Sequence, residues 1–519
     1  MTAQSTEFFL PRCTPRWSWG RVVTPPLPRA RISERLMITP GASDRGDDSV
    51  GNRRFPADFV WGAATSSYQI EGAAADDGKG EGIWDRFSHT PGRVRNGDTG
   101  DVACDHYHRY EEDVSLMADL GLDAYRFSVS WPRVIPAGTG PINERGLDFY
   151  DRLVDELLAK GIQPYVTLYH WDLPQALEDG GGWPVRATAE AFPLYASEVA
   201  GRLGDRVTHF ATFNEPHVVS DHGYRVGSHA PGRVEHDAAL AAAHHLLVAH
   251  GLGLQAIKAA VPGASCGIVL NLEPRHPATH HTLDIEAAGV EHDQVNRWFL
   301  DPVTGRGYPE DGARAWNWHR EEILNGDLDL IAAPIDFVGV NYYSRKLVRS
   351  PLLPPLEPQH SEPERTAMGW EVFPAGLTEV LEFTASRTGD LPLYVTENGA
   401  AYPADDDDPT RDPERVRFFH RHLGAALVAI ERGVPLRGYF AWSLLDNFEW
   451  AHGYSPRFGL IHVDYDTLER RVRDSGRFLA AVARDGLPPI APFDDEPVPK
   501  MSAIATPVDI PSEISKDRA

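Results

Sequence analysis

Residues 391–400 read LPLYVTENGA. Leu393, Tyr394, Val395 and Thr396 form a short strand-like run that stops at Glu397, followed by Asn398 and Gly399. This stretch can be read in two ways, and the two imply different folds. Taken as a turn, Asn-Gly closes a hairpin and belongs to an antiparallel sheet. Taken as the start of a βα loop, it belongs to a parallel sheet and leaves Glu397 at the carboxyl end of a buried strand. The dipeptide alone favours the turn, so the rest of the chain has to decide.

Seven further runs have the same character: FVWGAATSSYQ (59–69), AYRFSVSW (124–131), PYVTLYHW (164–171), HFATFNE (209–215), CGIVLNLEP (266–274), DFVGVNYY (336–343) and LRGYFAWSLLDN (436–447). Helical stretches separate them. Over 105–120, Tyr107, Tyr110, Val114 and Met117 recur on one face, and residues 143–160 and 237–260 read the same way. LLAKG before the third strand supplies a glycine stop. Eight near-continuous apolar strands, each followed by a helix, predict parallel strands covered on both faces and closed into a single (β/α)₈ TIM barrel. A doubly wound sheet is the runner-up, but the segment after the first strand lacks the G-x-G-x-x-G phosphate loop usual there. The barrel is expected over 53–487. Residues 1–52 and 488–519, rich in proline and without periodicity, are expected to be disordered extensions. Residues 1–36 are Arg-rich, unlike the rest of the chain, and Met37 is an alternative start.

The 519 residues carry a net charge of −25, which argues against nucleic acid as a partner. No apolar run reads as a membrane span, which needs ~20 residues. Cys13, Cys104 and Cys266 are odd in number and widely spaced, which fits neither a disulfide framework nor a zinc site and points to a reducing, cytoplasmic setting. No metal or other cofactor is expected, and oligomeric state is not legible.

In a barrel, the residues that end the strands converge on one mouth. Here they are Gln69 and Glu71, Arg126 and Trp131, His170 and Trp171, Asn214 and Glu215, Asn341 to Tyr343, Glu397, and Trp442 with Asp446, Asn447, Glu449 and Trp450. Acids, amides, one histidine and indoles suit a polyhydroxylated ligand: carboxylates and amides pair with hydroxyls, and flat rings cover the C–H face of a sugar. Glu215 and Glu397 then supply the two carboxylates of glycoside hydrolysis. The charge of Glu397 is expected to raise the pKa of Glu215, while Arg126 and Tyr343 favour ionised Glu397.

TFNEP (212–216) and VTENG (395–399) resemble the acid/base and nucleophile motifs of the family 1 glycoside hydrolases, the β-glucosidase family. FVWGAATSSYQIEG, GIWDRF, CDHYHRYEEDV, YRFSVSWPRV, TLYHWDLP, DFVGVNYYS and AWSLLDNFEWAHGY extend the resemblance over nearly the whole organised region. It implies a retaining double displacement on small β-glucosides or short oligosaccharides, with Glu397 as nucleophile and Glu215 as acid/base. By the same resemblance, Gln69, His170, Asn214 and Glu449 bind hydroxyls of the non-reducing sugar, with Trp442 and Trp450 as its platform. The resemblance also implies that Trp370 lines the leaving-group side, while His452 stands where the family varies. Glu215 itself separates the chain from the thioglucosidase branch, which has Gln there. Glu449 and Trp450 separate it from the 6-phospho-glycosidase branch.

Other conspicuous residues receive plainer readings. His106 and His108 stand at i and i+2 of a helix and point apart. His244, His245, His280, His281 and His292 are expected to be solvated. Asp405–Asp408, between prolines, is expected to be a loop, and Trp84 and Trp183 are expected to be core.

Overall fold

The computed structural model describes residues 52–356, 363–405 and 407–489, so the two terminal extensions fall almost entirely outside it. Eight parallel strands close on themselves: β1 Val60–Ala64, β2 Ala124–Ser128, β3 Gln163–Tyr169, β4 His209–Asn214, β5 Ser265–Asn271, β6 Phe337–Asn341, β7 Leu393–Asn398 and β8 Leu436–Trp442. Each pairs with its neighbours in chain order, and β8 returns to β1 with Val60 opposite Gly438 and Ala64 opposite Trp442. The predicted helices are present at His106–Asp119, Glu144–Ala159 and His236–Ala260. The first strand is shorter than its apolar run: the chain leaves β1 at Ala64, and Gln69 sits on a short helix, Ser67–Ile70.

The interior of the barrel is packed, not hollow. Tyr165, Phe337, Tyr394 and Phe440 fill it, and Ala64, Ala124 and Ala211 make room for them. Gly62 is fixed by this packing, because a Cβ there would collide with the Phe440 ring. The larger core lies between the strands and the helix ring. Helix His236–Ala260 is apolar and long enough to cross a membrane, which the sequence reading did not anticipate, but 83% of its most apolar window is buried inside the protein. Its burial also corrects the reading of His244 and His245 as solvated. Both are buried: His244 Nδ1 lies 2.9 Å from the Tyr308 hydroxyl and Nε2 lies 3.0 Å from Asp327, while His245 Nδ1 is 3.0 Å from the Trp183 carbonyl oxygen. His280 and His281 are exposed, as expected.

Asn398–Gly399 is no hairpin. Asn398 donates to the Tyr342 carbonyl (2.6 Å) and accepts from the Tyr439 hydroxyl (2.6 Å), tying β7 to both neighbours. Gly399 is needed because a Cβ there would overlap the Trp442 carbonyl oxygen.

Three residues expected at the mouth serve the scaffold instead. Trp131 is fully buried and stacks on Tyr195, with ring centroids 5.1 Å apart. Glu71 accepts from Arg133 (2.9 Å) and the Tyr150 hydroxyl (2.6 Å). Asp446, fully buried, accepts two bonds from Arg473 (2.7 and 2.8 Å), one from Arg457 (3.3 Å) and one from the Gly459 amide (2.9 Å). Burial pushes the Asp446 carboxyl up, but Arg473, His462 and Arg457 outweigh it and hold the group far below the usual carboxylate range. Its contribution to stability is therefore present above the unfolded-state pKa and is lost only as pH falls through the depressed native value. Asp446→Ala strands the buried Arg473 guanidinium and removes a partner of the half-buried Arg457, and should cost about 3 kcal/mol in urea unfolding at neutral pH. This ion-pair cluster anchors the loop that carries Glu449 and Trp450.

Candidate active site

Glu215 directly follows β4 and caps the helix Pro216–Ser220. Its backbone is left-handed (φ 50°), an uncommon conformation for a residue with a side chain, and its amide is held by the Val269 carbonyl at 2.9 Å. Trp171 (φ 80°) and Trp450 (φ 47°) share this left-handed geometry, so three residues around one cavity are held in costly conformations by the scaffold.

Glu397, near the end of β7, is 3% exposed. Donors occupy both carboxylate oxygens: Arg126 Nη1 on Oε1 at 2.7 Å and the Tyr343 hydroxyl on Oε2 at 2.7 Å. Burial, followed by the charge of Glu397, pushes the Tyr343 phenol well above its ordinary pKa, so it stays protonated and donates. Arg126 is itself oriented by Thr167 (3.2 Å), the Thr396 carbonyl (3.2 Å) and Asn214 Oδ1 (2.7 Å).

Glu215 is surrounded differently. Asn341 Nδ2 donates to its Oε1 at 2.6 Å, and Asn341 is in turn fixed by the Thr396 hydroxyl at 2.7 Å. No cation makes a salt bridge to Glu215 among the described residues. Burial first, and the negative charge of Glu397 second, push its carboxyl up to about 8. Glu449 behaves alike, pushed up to about 8 by burial and then by Glu397. At neutral pH Glu215 and Glu449 thus hold protons, and Glu397 faces the Arg126 guanidinium.

These groups border a cavity of about 360 Å³. Of the residues expected from sequence, Glu215, Glu397, Tyr343, His170, Trp370, Trp442, Glu449, Trp450 and His452 line it. His170 is held neutral by burial and by Arg126; its Nε2 faces Asn214 Nδ2 at 3.1 Å, and its Nδ1 has no partner among the described residues. Glu449 Oε2 is likewise buried and unpartnered. These are the polar atoms a hydroxylated ligand would satisfy.

Arg126, Asn214 and Gln69 stand one layer behind the wall. Asn214 joins Arg126, Asn341 and His170 into one network. Gln69 donates to Asn447 Oδ1 (3.1 Å) and the Phe448 carbonyl (2.8 Å), holding the segment before Glu449. Trp84, read as core, is fully buried but also packs against Trp450 at 4.5 Å. The sequence reading gave Asn341 no role, although it orients Glu215; its place at the end of β6 was the available signal. The cavity residues His217 and His222, which follow Glu215 on the next turns, were missed outright.

The family model described as "Glycosyl hydrolase family 1" matches residues 51–486. "Beta-glucosidase A" of Acetivibrio thermocellus is 46% identical, across 83% of this chain and 98% of that protein. The "Bifunctional beta-D-glucosidase/beta-D-fucosidase" of Bifidobacterium breve is 45% identical, across 81% and 96%. The solved structure "Beta-glucosidase from Thermotoga maritima in complex with glucoimidazole" superposes with a TM-score of 0.79 at 46% identity, covering 84% of this chain and all of that one. A family model over most of the chain, together with relatives of this identity and coverage, means that the chain belongs to glycosyl hydrolase family 1.

Proposed function

We propose that the protein is a retaining β-glucosidase that removes terminal non-reducing β-D-glucosyl residues from cellobiose and aryl β-glucosides, and that it also accepts β-fucosides and β-galactosides. The observation that carries this reading is the contrast between the two carboxyls. Glu397 is held by Arg126 and Tyr343, whereas Glu215 is buried without a cation and keeps its proton. One is equipped as nucleophile and the other as general acid.

In the first step Glu397 attacks the anomeric carbon while Glu215 gives its proton to the glycosidic oxygen, and the aglycone leaves. Ester formation neutralises Glu397, which removes the repulsion that helped to raise Glu215. The now more acidic Glu215 suits the second step, where it takes a proton from the water that releases the sugar. Neutral His170 and protonated Glu449 offer donors to the sugar hydroxyls, Trp442 and Trp450 cover its apolar face, and Asn214 acts from behind by holding His170 and Arg126. Gln69 acts on the sugar mainly by holding the segment that bears Glu449. We place the enzyme in the cytoplasm, working on short cellulose-derived sugars; the buried, unpaired Cys104 and Cys266 support a reducing setting.

A panel of 4-nitrophenyl glycosides tests the substrate reading. The β-glucoside should be cleaved, and the α-glucoside and 6-phospho-β-glucoside should not; the reverse order would overturn it. On the same β-glucoside, log kcat/KM should fall as pH rises through about 8, because the competent form is protonated Glu215. Glu449 loses its proton in the same range, so the limb should be steeper than a single ionisation.

A further inference from the structure

The chain contains three Asn-Gly pairs, which begin at Asn96, Asn325 and Asn398. Such a pair carries chemistry of its own. The glycine has no side chain to hinder its amide nitrogen, which attacks the asparagine carboxamide and makes this dipeptide thermolabile. Asn398 is shielded: it is fully buried, and its carboxamide is held by the Tyr342 carbonyl and the Tyr439 hydroxyl. Asn325 is exposed but borders no part of the catalytic cavity. Asn96 is exposed and is tied to that cavity at one remove.

Asn96 and Gly97 form a surface turn with left-handed backbones, φ 59° and 70°. The Gly97 amide makes a turn bond to the Val94 carbonyl at 3.1 Å, and a Cβ on Gly97 would meet nothing within 4 Å, so the pair is open to water. Directly after it, Asp98 closes a clamp. Its carboxylate accepts the Tyr454 amide at 3.0 Å, and the Tyr454 hydroxyl donates to the Thr99 carbonyl at 2.7 Å. Gly453 lies so close to the same carboxylate that a Cβ there would overlap it. The Gly453 carbonyl in turn accepts the Glu449 amide at 2.7 Å. The clamp thus fixes the turn that carries Glu449, Trp450 and His452, all of which line the cavity.

We infer that Asn96 is a self-modification site through which the enzyme ages: its conversion to an isoaspartyl residue shifts the Asp98 clamp and loosens the turn bearing Glu449 and Trp450. The Gly97 nitrogen loses its proton and bonds to Asn96 Cγ, the Cγ–Nδ2 bond breaks, and ammonia leaves with that proton. Water then opens the succinimide. Opening at Cγ yields an ordinary aspartyl residue. Opening at the main-chain carbonyl yields the isoaspartyl linkage, which adds one CH₂ to the backbone just before the clamp.

The test holds the purified protein in mildly alkaline buffer for weeks. Peptide mass spectrometry with fragmentation that distinguishes isoaspartate then reads the product, and kcat/KM on 4-nitrophenyl β-glucoside reads its effect. Isoaspartate should accumulate at position 96 and not at 398, and kcat/KM of the converted fraction should fall about threefold or more, as expected when binding groups are displaced. Asn96→Gly suits the left-handed turn and cannot cyclise, so it should keep its starting activity over the same period, whereas Asn325→Gln should decline like the wild type. Freshly made Asn96→Asp has the ordinary linkage and should match fresh wild type, because the damage lies in the added backbone atom and not in the charge. Intact Asn96 after ageing, conversion without loss of activity, or an equal decline in Asn96→Gly overturns the inference. Fresh wild type that fails to cleave the nitrophenyl glucoside removes the β-glucosidase reading instead, and isoaspartate at position 96 still decides the modification.

Discussion

Replacing Glu397 with glutamine should lower kcat on 4-nitrophenyl β-glucoside by about four orders of magnitude or more and leave the protein folded. The amide is nearly isosteric, so Tyr343 can still donate to its oxygen, and the barrel packing around β7 is unchanged. What disappears is the negative oxygen that attacks the anomeric carbon, and no neighbouring group replaces it. Glu215 lacks a cation and holds its proton, and Glu449 is pushed up to about 8 in the same way. Uncharged residue 397 also leaves Arg126 buried without its anion, which lowers stability but not topology. The far-ultraviolet spectrum and a cooperative melt should therefore persist with a lower Tm. An unfolded variant would assign Glu397 a scaffold role, and near-wild-type turnover would remove it from the chemistry.

Glu215→Ala should separate the two steps. Without an acid, substrates with poor leaving groups, such as cellobiose, should lose about three orders of magnitude in kcat/KM, whereas an activated aryl glucoside needs little protonation to leave and should still load Glu397. The glycosyl-enzyme then waits, because no base remains to activate water. Azide needs no base, and the cavity left by the side chain gives it room beside the anomeric carbon. Added azide should accelerate aryl glucoside turnover and yield the β-glucosyl azide, identifiable by its anomeric proton coupling. The same variant should lose the Glu215 part of the alkaline limb, so the remaining pH dependence belongs to Glu449. An α-azide, or no acceleration, contradicts the assigned role.

Both residues were legible in the sequence because barrel topology converts a position along the chain into a position in space. A carboxylate that ends a buried strand is brought to the mouth. The same rule misled at Glu71 and Asp446, which occupy similar positions but are neutralised by Arg133 and Arg473, 62 and 27 residues further along. Such pairing is set by how loops pack over the barrel, and no local pattern in the chain reports it. His244 was misread for the same reason: its partners Tyr308 and Asp327 lie 64 and 83 positions away. The Asn398–Gly399 pair shows the converse. Its local turn preference was overruled by the seven other strands, and the structure finds both residues committed to Tyr342, Tyr439 and Trp442. Gln69 and Asn214 were found as residues at strand ends, with a sugar-binding role implied by the resemblance, but that they stand behind the wall required the hydrogen-bond network to be seen.

The central claim, that Glu397 forms a glycosyl-enzyme which Glu215 then helps water to open, is tested most directly by the anomer first released. A proton NMR time course of 4-nitrophenyl β-glucoside hydrolysis, read before mutarotation sets in, should show β-glucose appearing first and α-glucose growing later. If α-glucose comes first, water attacks the substrate directly, and the roles assigned to Glu397 and Glu215 are wrong.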